Sequence, residues 1–210
     1  MAIIRKEFVA DDCLLSIWEI AEDFETLFSK VKLTNDELET LNGFQNYQRK
    51  LEWLSVRVLL NEVLEKECRI VYNADHKPFL SDNSHNISIS HSKNLTSVLL
   101  SKTKRVGIDL EFMSHQIHNI AHKFINEDEF ITKENGLERI HLYIHWCAKE
   151  ALYKICDKQD INFKQNLTVT PFEADLLGKL EAHVHNRYGR EKYLLEYFVI
   201  DGYVVVWCNK

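Results

Sequence analysis

The run YLLEYFVIDGYVVVWC, residues 193–208, constrains the fold most, because this pattern strongly favours a β-hairpin. Two segments rich in β-branched and aromatic residues flank Asp201-Gly202, a dipeptide typical of two-residue hairpin turns. A hairpin needs antiparallel neighbours and a core that covers its apolar face. The C-terminal part of the chain is therefore predicted to contain an antiparallel sheet.

Helical and strand patterns occur in both halves of the chain. In the first half, a capping box at Thr34 begins a helical stretch that runs to about Glu67, with a break near Gly43, and short alternating strands follow. In the second half, Glu127–Ile155 is predicted to be mostly helical and is followed by further strands. These patterns predict an α+β fold.

The repeated order of helices and then strands predicts two similar lobes related by a pseudo-twofold axis. In each lobe we expect helices packed on a small antiparallel sheet. The expected N-terminal lobe covers residues 1–104, and the C-terminal lobe covers residues 105–210 and carries the acidic motifs described below.

Composition argues against several classes of protein. The net charge is −6 and neither half has a basic excess, which disfavours nucleic-acid binding. No stretch approaches the roughly 20 apolar residues of a membrane span, and the start lacks the pattern of a secretory signal. Five cysteines without a CxxC pair indicate neither a disulfide framework nor a zinc site. We expect a cytoplasmic protein.

The segment VGIDLE, Val106–Glu111, combines an apolar strand with two carboxylates. In a strand, successive side chains alternate, so the valine, isoleucine and leucine share one face and Gly107, Asp109 and Glu111 share the other. The carboxylates lie roughly 6–7 Å apart along the strand. The simpler interpretation is a solvated outer face, and the alternative is a ligand site.

A second segment, WCAKEALYK, places Glu150 and Lys154 four residues apart on one helical face. Alone, this pair is typical of a stabilising surface contact. Together with Asp109 and Glu111 it offers three carboxylates and an ammonium, a set that suits Mg²⁺ and phosphate oxygens. The combination indicates phosphoryl-transfer or phosphodiester chemistry, in which positioning and charge stabilisation provide most of the catalysis.

The two segments, about forty residues apart, resemble the signature motifs of the 4′-phosphopantetheinyl transferase superfamily, G-[IV]-D-[IVL]-E and W-[ST/C]-x-K-E-[AS]-x-x-K. The resemblance runs from about residue 40 to about residue 160, and the long segment before the first motif is similar to the surfactin-synthetase-activating type. Shorter similar segments are HKPFL, in which His76 replaces the usual glycine, ISISHS (Ile87–Ser92), SVRVLLNEVL (Ser55–Leu64) and KFINEDEF (Lys123–Phe130).

The resemblance implies an enzyme that transfers 4′-phosphopantetheine from coenzyme A to a serine of an apo acyl or peptidyl carrier protein. Mg²⁺ would be required and 3′,5′-ADP would be released. The carrier would serve fatty-acid, polyketide or nonribosomal peptide synthesis. The long type implies a monomer with its active site in the cleft between the lobes. The alternative is a non-catalytic relative of the same fold that binds a carrier protein or a nucleotide.

The resemblance also implies metal ligands and a catalytic lysine. Asp109, Glu111 and Glu150 would hold Mg²⁺ against the pyrophosphate of coenzyme A. Lys154 would contact the phosphates or the leaving group. Glu150 and Lys154 are thus the expected catalytic pair.

Four residues of the N-terminal half are implied to bind coenzyme A. Ser90 and His91 would form hydrogen bonds with a phosphate. Lys77 and Arg57 would bind the nucleotide end, including its 3′-phosphate. Because His76 replaces a glycine, the resemblance does not determine the geometry of the turn before Lys77.

Glu129 has two interpretations. The resemblance makes it a candidate general base near the attacking serine. The residues N-E-D-E, which start at Asn126, also read as a helix N-cap with a glutamate at the third position. The sequence leaves both open.

Two histidine pairs resemble metal-binding spacing. His141 and His145, and likewise His118 and His122, are four residues apart. Neither pair has the glutamate that follows the first histidine in zinc proteases. We expect all four side chains to be exposed or half-buried.

Overall fold

A computed structural model of the chain describes residues 3–114, 116–134, 136–156, 161–187 and 189–210. The chain divides into two compact units, Met1–Thr103 and Lys104–Lys210. Each unit contains helices, β-strands and a hydrophobic cluster of its own. Within the described residues, no helix combines the length and the apolarity that a membrane span requires. The predicted mixture of helices and antiparallel sheets is confirmed.

The first unit has a four-stranded antiparallel sheet of order β1-β2-β6-β5 and a separate β3-β4 pair. Its α3 packs on one face of the larger sheet. Its elements are β1 (Ile3–Ala10), β2 (Cys13–Glu19), α1 (Phe24–Ser29), α2 (Asn35–Gly43), α3 (Tyr47–Leu64), β3 (Ile70–Tyr72), β4 (Pro78–Leu80), β5 (Asn86–Ser92) and β6 (Leu95–Ser101).

Side-chain caps define the two longer helices of this unit. The Thr34 hydroxyl accepts the Glu37 N–H, and the Glu37 carboxylate accepts the Thr34 N–H, so the predicted capping box is confirmed. At the start of α3, the Asn46 side chain accepts the Arg49 N–H at 3.2 Å. The predicted break between the helices is also confirmed, because α2 ends at Gly43 and α3 begins at Tyr47.

The second unit has a five-stranded antiparallel sheet of order β7-β11-β10-β9-β8. Helix α5 packs on this sheet, and α4 and α6 lie beside α5 or β8. Its elements are β7 (Val106–Phe112), α4 (Ile117–Phe124), α5 (Leu137–Ile155), α6 (Phe163–Asn166), β8 (Leu167–Val169), β9 (Leu177–Asn186), β10 (Gly189–Ile200) and β11 (Tyr203–Asn209).

The predicted C-terminal hairpin is confirmed as β10 and β11. Its turn residues Asp201 and Gly202 both have positive φ angles, 47° and 81°, as expected of a tight turn that matches strand twist.

The predicted helix over Glu127–Ile155 is wrong in its first third. The chain turns at residues 127–128, and α5 begins only at Leu137, after Gly136 with φ 86°. The capping signal at Asn126 is present, because Glu129 accepts the Asn126 N–H at 2.9 Å. The same carboxylate also binds Lys149, so it holds a turn in place instead of starting a helix.

Candidate active site

Strand β7 directs Asp109 and Glu111 to the face of the sheet on which α5 packs. Their partners on β11, residues 206 and 204, belong to the hydrophobic cluster that includes α5. Asp109 is 4% exposed, and Glu111 is partly buried. The interpretation of this face as a solvated outer face is therefore wrong. The predicted burial of Val106, Ile108 and Leu110 on the other face is confirmed.

Gly107 allows α5 to approach β7 closely. A Cβ at this position would lie 2.2 Å from the Ala151 carbonyl oxygen and 3.1 Å from the Ile155 Cβ. The first distance is far too short for real atoms and involves a backbone oxygen, and the second is tight, so only glycine fits. The glycine of the VGIDLE motif thus accommodates the helix that carries the second motif.

Lys154 pairs with Asp109 across this contact. Its Nζ lies 2.7 Å from Asp109 Oδ1 and donates a second hydrogen bond to the Ile108 carbonyl at 2.9 Å. The Asp109 side chain is 5% exposed, whereas Lys154 remains 24% exposed. The structure therefore joins the central residues of the two motifs and leaves part of the lysine accessible to solvent.

Cys147 lies beneath the two carboxylates. The residue is fully buried, and its Sγ lies 3.9 Å from the Val204 carbonyl oxygen. Burial, and after it the charges of Asp109 and Glu111, raise the pKa of the Cys147 thiol well above its usual range. The thiol thus stays protonated, and both carboxylates act on this one position.

Glu150 shares a helical face with Cys147 and Lys154, because residues at spacings of three and four follow one another along a helix. It is partly buried. Among the residues that the structure describes, no group of three or more His, Cys, Asp and Glu side chains is arranged to hold a metal ion. The positive charge beside Asp109 comes from Lys154. The three carboxylates nevertheless fit Mg²⁺ chemically, since all are hard oxygen donors.

Glu129 is held inside the second unit by three contacts. Its side chain is 0% exposed, as is that of its ion-pair partner Lys149, 2.8 Å away. It also accepts the backbone N–H groups of Asn126 and Val169, at 2.9 and 2.8 Å. These contacts favour the capping interpretation of Glu129 over that of a general base.

Lys149 was not singled out by the sequence, although its neighbour Glu150 was. Besides Glu129, its ammonium donates to the carbonyls of Phe124 and Phe163. Burial lowers the pKa of Lys149, and the Glu129 charge opposes this change. No local pattern indicates such burial, because the acceptors lie 14 to 25 residues away in the chain.

In the first unit, His91 belongs to a small charged cluster. Its Nδ1 lies 3.1 Å from the Glu52 carboxylate, and its Nε2 contacts the Arg49 guanidinium. Arg49 also pairs with Glu52 at 3.3 Å. Burial raises the pKa of Glu52, and Arg49 opposes this change. Arg49 was missed by the motif comparison, although its spacing to Glu52 on α3 is that of a helical ion pair.

Ser90 and His91 are not brought together. Adjacent residues of a strand face opposite sides of the sheet. His91 contacts Arg49 and Glu52 on α3, on the face that Ile89 shares. Ser90 is buried, and its carbonyl accepts the Ser97 hydroxyl at 3.2 Å. The two side chains therefore do not converge on one point.

Arg57 is buried in its own set of contacts. Its Nε lies 3.1 Å from Glu37, and its guanidinium lies 3.1 Å from the centre of the Trp53 ring. Burial lowers the pKa of Arg57, and Glu37 raises it. Glu37 also pairs with Arg69 at 2.8 Å. These contacts explain Arg57 as a structural residue of α3.

The turn before Lys77 keeps the geometry that a glycine would favour. His76 adopts a φ of 57°, in the left-handed region. The Asn73 Oδ1 accepts the N–H groups of Asp75 and Lys77, at 3.0 and 2.9 Å, and so closes the turn. The histidine therefore replaces glycine without opening the turn.

The expectation of exposed or half-buried side chains is wrong for His141 and His145, which are fully buried in α5. His141 Nδ1 accepts the Thr132 N–H at 3.1 Å, and His145 Nδ1 lies 2.9 Å from the His141 carbonyl. Phe172 packs against both rings. The expectation is confirmed for the exposed residues His118 and His122.

Comparison with known proteins agrees with the two motifs. Residues 105–208 match the family model of the 4′-phosphopantetheinyl transferase superfamily. The chain is also similar to the 4′-phosphopantetheinyl transferase HetI of Nostoc sp. (strain PCC 7120 / SAG 25.82 / UTEX 2576), with 25% identity over 138 residues. That alignment covers 58% of this chain and 58% of the relative, so the chain matches little more than half of the relative's length. Through its C-terminal half, the chain belongs to the 4′-phosphopantetheinyl transferase superfamily.

Proposed function

We propose that the protein transfers 4′-phosphopantetheine from coenzyme A to a serine of an apo carrier protein. The observation that carries this proposal is the Asp109–Lys154 pair, in which a buried carboxylate meets a partly exposed ammonium between β7 and α5. Paired charges of this kind suit a pyrophosphate substrate and its counter-ion. The name of the similar Nostoc protein supports the same reaction.

In this reaction the serine Oγ forms a bond to the phosphorus that carries pantetheine. The bond from that phosphorus to the bridging oxygen breaks, the bridging oxygen leaves with 3′,5′-ADP, and the serine proton is released. We assign Lys154 to the phosphate oxygens on which negative charge accumulates. Its exposed fraction allows it to exchange Asp109 for a phosphate oxygen.

We assign Asp109, Glu111 and Glu150 as the residues that would hold Mg²⁺. When bound, the ion would neutralise charge on the pyrophosphate. Cys147, with its proton retained, adds no charge beside these carboxylates. In the structure, Lys154 forms an ion pair with Asp109 and so balances its charge.

For the nucleotide end of coenzyme A we propose His91 together with Arg49, since the two side chains are in contact. Lys77 remains a proposed ligand on its closed turn. Arg57 could bind a phosphate only if its Glu37 pair opens. Ser90 would have to contribute from the opposite face of β5 to His91.

We further propose a monomer acting in the cytoplasm, since all five cysteines are free thiols. The division into lobes of residues 1–104 and 105–210 remains a prediction from the sequence, as does the choice between acyl and peptidyl carriers. Sedimentation should give the mass of one chain, and a stable trimer would contradict the long type.

The alternative function is a non-catalytic relative that binds a carrier protein or a nucleotide. It is favoured by the lack, within the described residues, of three carboxylates arranged around a cation site. The two functions are separated by incubating the protein with coenzyme A, Mg²⁺ and apo carrier proteins and weighing the carriers. The proposed enzyme adds one phosphopantetheine to a carrier, whereas the alternative adds none.

Matched variants sharpen this experiment. Asp109→Asn should abolish most transfer, while Asp11→Asn, an exposed aspartate in the turn after β1, should have no effect. Coenzyme A should bind more tightly by calorimetry with Mg²⁺ than with EDTA. Equal affinity under both conditions would contradict the metal assignment.

A further inference from the structure

Lys149 and Glu129 form a fully buried ion pair beside the candidate active site. We propose that this pair sets the rotation of α5 about its axis, so that Glu150 and Lys154 face Asp109. Glu129 is then a positioning residue and not a general base. The inference rests on the proposed function above, because it concerns the same site.

The Lys149 ammonium has no capacity left for a substrate. Its three N–H groups meet three oxygens, those of Glu129 at 2.8 Å, Phe163 at 3.2 Å and Phe124. These oxygens belong to the turn after α4, to the end of α4 and to α6. One lysine of α5 is therefore fixed to three separate segments of the unit.

Both carboxylate oxygens of Glu129 are likewise occupied. Oε2 accepts from Lys149 and from the Asn126 N–H, and Oε1 accepts the Val169 N–H. A general base must reach the proton that it removes, directly or through one water. With a side chain 0% exposed, Glu129 has no such access.

A second contact holds α5 from another side. Ala151 packs against Gly107 so closely that no Cβ fits between them. Positions 149 and 151 are about 200° apart around a helix of 3.6 residues per turn, so the two contacts lie on nearly opposite sides. Glu150 lies between them, and Lys154 follows one turn later on the same face.

The two contacts together determine the direction in which Glu150 and Lys154 point. A rotation of about 10° moves an atom roughly 6 Å from the helix axis by about 1 Å. A displacement of that size can reduce a reaction rate on the order of 10²-fold. Loss of the Lys149–Glu129 pair is therefore expected to affect transfer although neither residue touches the substrate.

The test compares Glu129→Gln, Lys149→Met and the double variant that carries both changes. Each single variant leaves one buried charge without its partner. We expect each to lower kcat about 10- to 100-fold and the double variant, which buries no charge, to recover part of the loss. A general base predicts no recovery, because the double variant also lacks the carboxylate.

The pH profile of transfer distinguishes a positioning residue from a general base. With a positioning role, the variants keep the parent's profile shape at a lower rate. With a base, Glu129→Gln loses the acidic limb of the profile. Three results would each overturn the inference. They are a double variant that transfers no faster than Glu129→Gln, the loss of the acidic limb in Glu129→Gln, and single variants that transfer as fast as the parent.

Hydrogen exchange of α5 separates failure of this inference from failure of the proposed function. Amides of residues 137–155 should exchange faster in both single variants and regain protection in the double variant, whether or not a carrier is modified. Unchanged exchange in the single variants would contradict the positioning role. An inactive parent with this exchange pattern would refute only the proposed reaction.

Discussion

Lys149 and Lys154 lie five residues apart on α5, and each contacts a carboxylate at less than 3 Å. Their surroundings differ. The side chains of Lys149 and Glu129 are both 0% exposed, whereas the side chain of Lys154 is 24% exposed and that of its partner Asp109 is 5% exposed. The same two charged groups thus occur once in the interior and once at its boundary.

The comparison teaches that exposure decides what an ion pair can do. A buried pair that has lost its hydration must keep its partners, because no water replaces them. A partly exposed ammonium can exchange one oxygen for another at little cost. Lys149 is therefore suited to hold a helix, and Lys154 is suited to bind and release a phosphate.

The largest expected effect is that of Lys149→Ala on stability. The change leaves the buried Glu129 without its counter-charge, which should cost about 3–5 kcal/mol of unfolding free energy. Denaturant titration measures this loss. A cost no larger than that of Lys154→Ala would show that Lys149 is no different from Lys154.

Lys154→Ala should show the opposite division of effects. Transfer should fall on the order of 10²-fold, because a charge-stabilising group is removed. Stability should fall by less than in Lys149→Ala, because water can enter the position that the partly exposed lysine leaves and can hydrate Asp109. Rate assays and unfolding of the same preparation test both statements. A variant that transfers like the parent would remove Lys154 from the mechanism.

Gly107→Ala tests whether the contact between β7 and α5 holds the helix as firmly as the Lys149 contact does. The new Cβ would meet the backbone oxygen of Ala151, so overpacking should cost about 1–3 kcal/mol and displace the part of α5 that carries Lys154. Gly43→Ala is the matched control, because nothing lies within 4 Å of its Cβ position. We expect the control to be neutral or slightly stabilising, and equal effects would contradict the steric argument.

The smallest effect, in the range between pH 7 and pH 5.5, concerns His145, one turn before Lys149. Burial lowers the pKa of His145 from 6.5 to about 3, and its Nε2 has no hydrogen-bond partner in the described part of the chain. Below pH 6.5 the unfolded chain therefore binds a proton that the folded chain does not. The contribution of neutral His145 to the unfolding free energy is therefore fully present above pH 6.5. It should fall by up to about 1.4 kcal/mol per pH unit towards pH 3.

Unfolding at pH 7 and pH 5.5 tests this dependence, with His145→Phe as the control. The phenylalanine keeps an aromatic contact with Phe172 but cannot titrate. The variant should lose less stability than the parent on acidification. An equal loss in both proteins would assign the dependence to other groups.

Local patterns predicted much of the fold and part of the candidate site. The β10–β11 hairpin, the Thr34 capping box and the alternation of β7 depend on neighbours in the sequence and are present as expected. Such features are readable because their periodicity or turn chemistry is local. The occurrence of two motifs together indicated that Asp109 and Lys154 belong to one site, but the direct ion pair between them was not predicted.

Features that depend on distant contacts could not be read. The burial of Lys149 requires Glu129 and two backbone carbonyls from other segments. The same distant contact affects the capping signal at Asn126. Because Glu129 binds Lys149, the signal holds a turn and does not start a helix. His141 and His145 were predicted to be exposed or half-buried, because histidine is polar. Polarity alone does not reveal that other segments cover α5 at both positions.

The five free cysteines have a practical consequence for spectroscopy. Four of them are buried, and Cys68, just after α3, is the partly exposed one. Burial raises the pKa of the Cys68 thiol as well, so a maleimide dye should attach slowly at neutral pH and faster as the pH rises. Native protein can thus carry a single fluorophore in the first unit without the removal of any other thiol.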